Sequence, residues 1–358
     1  MNILSIIILC ILYSYALLLI YIAYLAKKKQ EIGAFANNLA NILILIISLT
    51  VNIILITVFN LSEGEFIIFP FNTLMIGFFF VFFPLFLLFV RRENIKIKTN
   101  KENKIKTEIQ SYKELPLKYD IYRKLTHLVV LGIIISYFIL GFLIQHVFVY
   151  IVELIPEFIS RLFQVEGDIM IFTQNLVVFL VGISLIGLLT ADITRILAPE
   201  VYPLKQVNQI LREKELHLRI GPHISMCIGC FSIILLYGLI QPIGPVIICT
   251  SMVMSIFGDI TANLVGRTIG HRKIRKKAKT YEGLIAGIII SFLSGIIVLH
   301  LLRNFYRFSI LGLLFNPLLG AMIIGLLDYL DLEIDDNLTF NFCISTVLFI
   351  TSITIFKK

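Results

Sequence analysis

The chain has 358 residues, 58% of them hydrophobic and 15% charged, with a mean hydropathy of +0.93 and a formal charge of +8 at pH 7. A soluble domain of this length is not so apolar, so the composition excludes the soluble classes and leaves an all-α, polytopic transmembrane bundle. The basic surplus is expected to meet the anionic surface of a lipid bilayer, with no nucleic acid as partner.

Ten apolar stretches follow one another, each near the ~20 residues that cross a hydrocarbon core. They are Ile3–Ala26, Leu39–Asn60, Phe66–Val90, Leu125–Phe148, Met170–Thr190, Gly221–Ile240, Gly244–Val265, Gly283–Leu301, Phe308–Leu327 and Leu338–Phe356. The first has neither a basic leader nor a small-residue cleavage site and is expected to stay as an anchor. Lys27–Lys29, the Arg91–Lys124 segment, Arg195–Arg219 and Arg267–Lys279 fall in alternate loops and hold 26 of the 31 basic residues. The bias of Lys and Arg toward the cytoplasm makes that side cytoplasmic and puts both termini on the other.

Three almost purely apolar spans come first, so residues 1–90 read as an accessory membrane region. Residues 91–121 are hydrophilic and basic and read as a cytoplasmic linker. Residues 122–358 read as a seven-helix catalytic core. Val149–Asp168 places apolar residues at helical spacing with acidic ones between, and is expected to lie along the outer surface. Cys10, Cys227, Cys230, Cys249 and Cys343 all sit in apolar stretches. Without a second pair or a histidine cluster, the Cys227/Cys230 spacing points to packing.

The polar exceptions gather on the basic side. Arg123-Lys124-Leu125-Thr126-His127 opens the fourth span, with Arg123 and His127 one turn apart on one face. His127 could be a general base, a phosphate contact or an interfacial hydrogen-bonding residue. Asp192 and Arg195 close the fifth span. Leu211-Arg212-Glu213-Lys214-Glu215 alternates in charge, as a solvated helix does.

The most informative stretch runs from Gly258 to Gly270. Gly258, Ala262, Gly266 and Gly270 recur every fourth residue, a stripe that admits close approach of another helix or of a bulky ligand. Asp259, Asn263, Arg267 and His271 form a polar stripe beside it. Asp259 lies about seven residues, roughly 10 Å, inside the end of its span. An ionisable residue at that depth is costly, and is a functional candidate by default. A basic run from Arg272 then leads into Lys279-Thr280-Tyr281-Glu282-Gly283 at the start of the eighth span. Cations beside helix N-terminal N–H groups suit a polyphosphate, although no Walker-type loop is present. Asp328, Asp331, Glu333, Asp335 and Asp336 crowd together ahead of Asn337. Hard oxygen donors at that density suit Mg2+ shared with phosphates; the alternative is an acidic loop pairing with the basic ones.

Taken in order, these motifs resemble the CTP-dependent polyprenol and lipid kinases. That group includes dolichol kinase, phytol kinase and CTP-using diacylglycerol kinase, and is related to the phosphatidate cytidylyltransferases. The likeness rests on Arg123-Lys124-x-x-His127 with Gly132, on Asp192 with Arg195, and on Leu211–Glu215. The G-D-x-x-A-x-x-x-G-R-x-x-G block from Gly258 to Gly270, Lys279–Gly283 and Asp335–Asn337 complete it. It covers the chain from Tyr122 to the C-terminus. Departures are Asp328, where the family usually has glutamate, and Leu284, where a small hydroxyl residue is common.

The resemblance implies transfer of the γ-phosphoryl group of CTP to the hydroxyl of a membrane lipid alcohol, with Mg2+. Dolichol or another polyprenol is the first candidate acceptor, and diacylglycerol or a phytol-type alcohol follows. The active site would face the cytoplasm, at the endoplasmic reticulum or a prokaryotic plasma membrane. Catalytic roles fall to Asp259, His127 and Lys124. Nucleotide contacts fall to Arg123, Gly258, Asn263, Gly266, Arg267, Lys279, Thr280, Glu282, Gly283, Arg212, Lys214 and Glu215. Asp259, Asp335, Asp336 and Asn337 would hold the metal. Two other readings stand beside this one. A phosphatidate cytidylyltransferase typically carries K-D and G-G-I-x-D-R-x-D signatures near the C-terminus, which are absent here. A transporter would spread polar residues through the membrane depth, whereas these cluster at the cytoplasmic ends.

Overall fold

A computed structural model describes residues 1–99, 116–154, 169–274 and 279–355. These form α1 (Ile3–Lys28), α2 (Ile32–Val58), α3 (Phe71–Thr99), α4 (Leu117–His127), α5 (Leu131–Ile135), α6 (Gly141–Leu154), α7 (Ile169–Leu197), α8 (Pro222–Tyr237), α9 (Ile243–Thr268), α10 (Tyr281–Leu301), α11 (Ile310–Leu330) and α12 (Asp336–Thr354). Hydrocarbon offers no hydrogen bonds, so a spanning backbone must satisfy itself, and uninterrupted apolar runs therefore become helices.

Among the described residues, nine helical segments are long and apolar enough to cross a membrane. One of them, Tyr119–Ile151, runs through α4, α5 and α6 by way of short 3-10 and π turns. The stretch expected from Gly221 to Ile240 is instead α8, an apolar helix of only 16 residues. Helix α3 does not stop at Val90 but runs on to Thr99, so the basic segment begins as helix. The rest of that segment up to residue 115, and residues 155–168 of the expected outer helix, lie outside the described residues.

The chain forms two compact units, Met1–Thr126 with Phe179–Ile228, and His127–Val178 with Gly229–Lys358. In the first, α1 and α2 make a hairpin that buries Leu12, Leu19, Leu45 and Leu49. One face of α2 also buries Asn37, Asn38 and Asn41, polar groups that need partners away from water. Asn38 finds two, donating to the Leu218 carbonyl at 2.8 Å and accepting from the Ile220 N–H at 3.0 Å. Asn41 donates to Ser225 Oγ at 3.1 Å, and Arg219 reaches the Gly33 carbonyl at 3.4 Å. The loop after α7 is thereby stitched to the start of α2.

In the second unit α9 is the central helix, with Ile247, Ile248, Cys249 and Met252 fully buried. It packs against α10, α11 and α12. Hydroxyls bind the layers at short range: Ser251 meets Ser345 of α12 at 2.6 Å, and Ser291 of α10 donates to the Met254 carbonyl at 2.9 Å. Tyr237 of α8 meets Thr346 of α12 at 2.8 Å.

Candidate active site

The small-residue stripe of α9 faces α10. A Cβ on Gly258 would strike Ser291 Oγ, one on Gly283 would strike the Ala262 carbonyl, and one on Gly287 would come within 2.9 Å of Ala262 Cβ. Gly266 lies against Thr280 and Gly283. Of the two partners the spacing allowed, the stripe takes the helix. Gly258, Gly266 and Gly283 bring two backbones together, and the polar stripe beside them is carried to the end of the interface.

Thr280 is the N-cap of α10 and accepts from the Gly283 N–H at 3.3 Å, as its β-region backbone and hydroxyl dictate. The loop before it closes on itself, with Ile274 N–H donating to the Lys279 carbonyl and Tyr281 N–H to the Arg272 carbonyl, both at 2.9 Å. Both oxygens of Glu282 accept from the Arg272 N–H at 3.2 Å. This carboxylate, expected at the nucleotide, thus fixes the basic loop. Residues 275–278 of that loop lie outside the described residues.

Lys279 is the hub. Its Nζ lies 2.8 Å from Asp328 Oδ1, 3.1 Å from Asp336 Oδ2 and 3.3 Å from Asp331 Oδ1. Burial alone would lower the pKa of this ammonium, but Asp336, Asp328 and Asp331 outweigh it and hold the pKa above that of an ordinary lysine. The charge of Asp259 reaches both Asp328 and Asp336. Asp335 caps α12, accepting from the Asn337 N–H at 3.0 Å and from its Nδ2 at 2.7 Å. Asp331 ends α11 in the left-handed region at φ 48, a conformation aspartate tolerates better than most residues. On the other flank, His127 Nδ1 lies 3.8 Å from Asp259 Oδ2, with the histidine 2% and the aspartate 15% exposed. Further along the same face, Asn263 Oδ1 is buried without a hydrogen-bond partner among the described residues, and Arg267 is exposed.

The second unit therefore gathers His127, Asp259, Lys279, Asp335, Asp336 and Asn337. It adds Asp328 and Asp331, which the acidic run hinted at but no spacing rule assigned. Among the described residues no three His, Cys, Asp or Glu side chains converge as a complete metal site. Three carboxylates around one lysine leave a negative surplus.

The first unit holds a polar cluster. Buried Arg123 pairs with Asp120 at 3.3 Å and Glu215 at 3.4 Å, and Arg212 lies 3.8 Å from the same aspartate. Glu215 also accepts from the Arg212 N–H at 2.9 Å. Lys124 is buried and Lys214 exposed. Arg195 binds Asp192 through Nε at 2.6 Å, the Glu215 carbonyl at 2.8 Å and the Arg219 carbonyl at 2.9 Å. Asp192 accepts in turn from the Gly221 N–H at 3.1 Å. The D-x-x-R pair is thus a clamp on the loop after α7. Asp120 and Arg219, which complete this network, carry no motif that marks them in the sequence.

Residues 121–354 match the family model described as Cytidylyltransferase family. No curated protein and no solved structure matches the chain.

Proposed function

We propose, from the premise that this chain belongs to the cytidylyltransferase family, that it is a CTP-dependent lipid kinase, moving the γ-phosphoryl group to the hydroxyl of a membrane lipid alcohol, dolichol or another polyprenol first. The observation that carries this reading is the His127–Asp259 pair. An alcohol must lose a proton as it attacks, whereas the phosphate of phosphatidate is already ionised and needs no base. A carboxylate held deep in a span with an imidazole beside it is the equipment for the first case.

In this reading the acceptor hydroxyl gives its proton to the Asp259 carboxylate, and His127 Nδ1 steadies that carboxylate. Phosphoryl transfer asks mainly for alignment and charge neutralisation. Arg267 and Lys279 would hold phosphate oxygens, and the Glu282-anchored loop sets the position of Lys279. Asp335 and Asp336 would hold Mg2+, which supplies neutralisation of the triphosphate when bound. Asn337 keeps Asp335 oriented. The cytoplasmic facing of this end rests on the distribution of Lys and Arg.

The test is transfer from CTP labelled at either the γ or the α position, with purified protein and mixed lipid alcohols. Label entering lipid only from the γ position supports the kinase. Label entering from the α position would replace it by cytidylyl transfer.

A further inference from the structure

An apolar cavity of about 670 Å3 lies wholly within the first unit, between α1, α3 and the end of α7. Its wall on α1 runs from Ile6 to Leu18 and on α3 from Phe79 to Val90. At 1.5 Å per residue these faces are roughly 16–18 Å long. That is about the depth of one leaflet, half of a ~30 Å hydrocarbon core.

Four hydroxyl groups line it, and all are engaged within the protein. Ser14 donates to the Cys10 carbonyl at 2.7 Å, Tyr15 meets Thr190 at 2.6 Å, and Thr190 donates to the Ile186 carbonyl at 2.7 Å. Thr194 donates to the Thr190 carbonyl at 2.8 Å. The wall therefore presents hydrocarbon to whatever enters, and water would find too few partners to stay. The end of the cavity at Val90 and Val201 is different. Arg91, one turn beyond Leu87, then Arg92, and Lys205 four residues beyond Val201, are all exposed. The charges of Arg92 and Lys205 both act on Glu93, so α3 and the loop after α7 bring their cations to the same place.

We propose that this cavity is a binding site for one anionic glycerophospholipid, its acyl chain along α1 and α3 and its phosphate against Arg91, Arg92 and Lys205. A slot of one-leaflet depth, lined by hydrocarbon and with Arg91, Arg92 and Lys205 exposed past its Val90–Val201 end beside Glu93 and Glu200, matches that ligand at both ends. The site uses none of the residues assigned to phosphoryl transfer.

The test is native mass spectrometry of the full chain after reconstitution in equimolar phosphatidylglycerol and phosphatidylcholine, followed by detergent extraction. One retained phosphatidylglycerol per chain is expected. Ser14→Phe, which fills the slot from an exposed position, should lower its occupancy about tenfold or more. Cys10→Phe should do the same, and circular dichroism shows whether either variant has kept its helices. Arg91→Glu with Arg92→Glu should abolish the preference for phosphatidylglycerol. Asp259→Asn, which lies outside the cavity, should leave retention unchanged. Equal retention of the two phospholipids by the unaltered chain overturns the proposal. So does occupancy that survives both filling substitutions, or displacement by an added polyprenol.

Discussion

Replacing Lys279 by methionine removes one positive charge from among three carboxylates while keeping most of the side chain's length and its apolar stem. Asp328, Asp336 and Asp331 would then face one another at the distances now held open by the ammonium, 2.8, 3.1 and 3.3 Å from its Nζ. The lysine side chain is 26% exposed and its partners 12–32%. Breaking a fully buried pair costs about 3–5 kcal/mol, and an exposed pair contributes about 0–1. A loss of about 1–3 kcal/mol in stability is the expectation for this intermediate case. Because the chain has no tryptophan, helical circular dichroism in detergent is the assay, with Lys279→Met compared with Lys279→Met/Asp328→Asn. Removing one of the stranded carboxylates should restore part of the loss. The sign with pH also follows. A cation whose folded pKa is raised contributes fully below its unfolded value, 10.5 for lysine, and loses that contribution as pH climbs through the higher folded value. The gap between native and variant should therefore be flat from neutral pH to about 10. A gap that closes near pH 8 would mean burial has neutralised the lysine and would refute the reasoning.

Asp259→Asn should lower phosphoryl transfer by about 10²–10⁴ with the thermal midpoint unchanged, and near-normal turnover would remove it from the chemistry. Gly283→Ala should destabilise by about 1–3 kcal/mol, since the new methyl meets the backbone of α9. Gly132→Ala, where no atom lies within 4 Å, should be neutral or better in the same melt. Arg195→Lys keeps the charge but loses the three-way fork. It should open the loop at 198–220 to protease and cost about 2 kcal/mol or more, and an unchanged cleavage pattern would count against the clamp.

The membrane class and most spans were legible because hydrocarbon selects helices by composition alone. The run from Gly221 to Ile240 looked like another span because nothing in its hydropathy shows that the helix ends at Tyr237. Gly238 there fits tightly beneath Gln174, a contact made 64 residues away in sequence. The small-residue stripe was readable, but its partner was not. Only the matching rhythm of Gly283, Gly287 and Ser291 on α10 turns it into a helix interface. The acidic crowd near Asp335 suggested a cation, and the resident cation is Lys279, brought in from 49 to 57 residues away. The bonds that Glu282 and Arg195 make to their loops were not legible, because they run to backbone groups that no residue pattern marks.

The asparagines of α2 set an order for biosynthesis. Asn38 is satisfied by backbone groups of Leu218 and Ile220, which the ribosome makes 180 and 182 residues later. At about 5–20 residues per second, α2 waits roughly ten to forty seconds with the Asn38 amide lacking both of its native partners. Until then it is better housed beside the insertion machinery or at the membrane's wet margin than in lipid. When the loop after α7 emerges, capture of Leu218 and Ile220 draws α2 inward and closes the first unit around residues from both ends of the nascent chain. A truncation ending before Leu218 should therefore leave α2 accessible to water-borne reagents at Asn38, which the full chain buries.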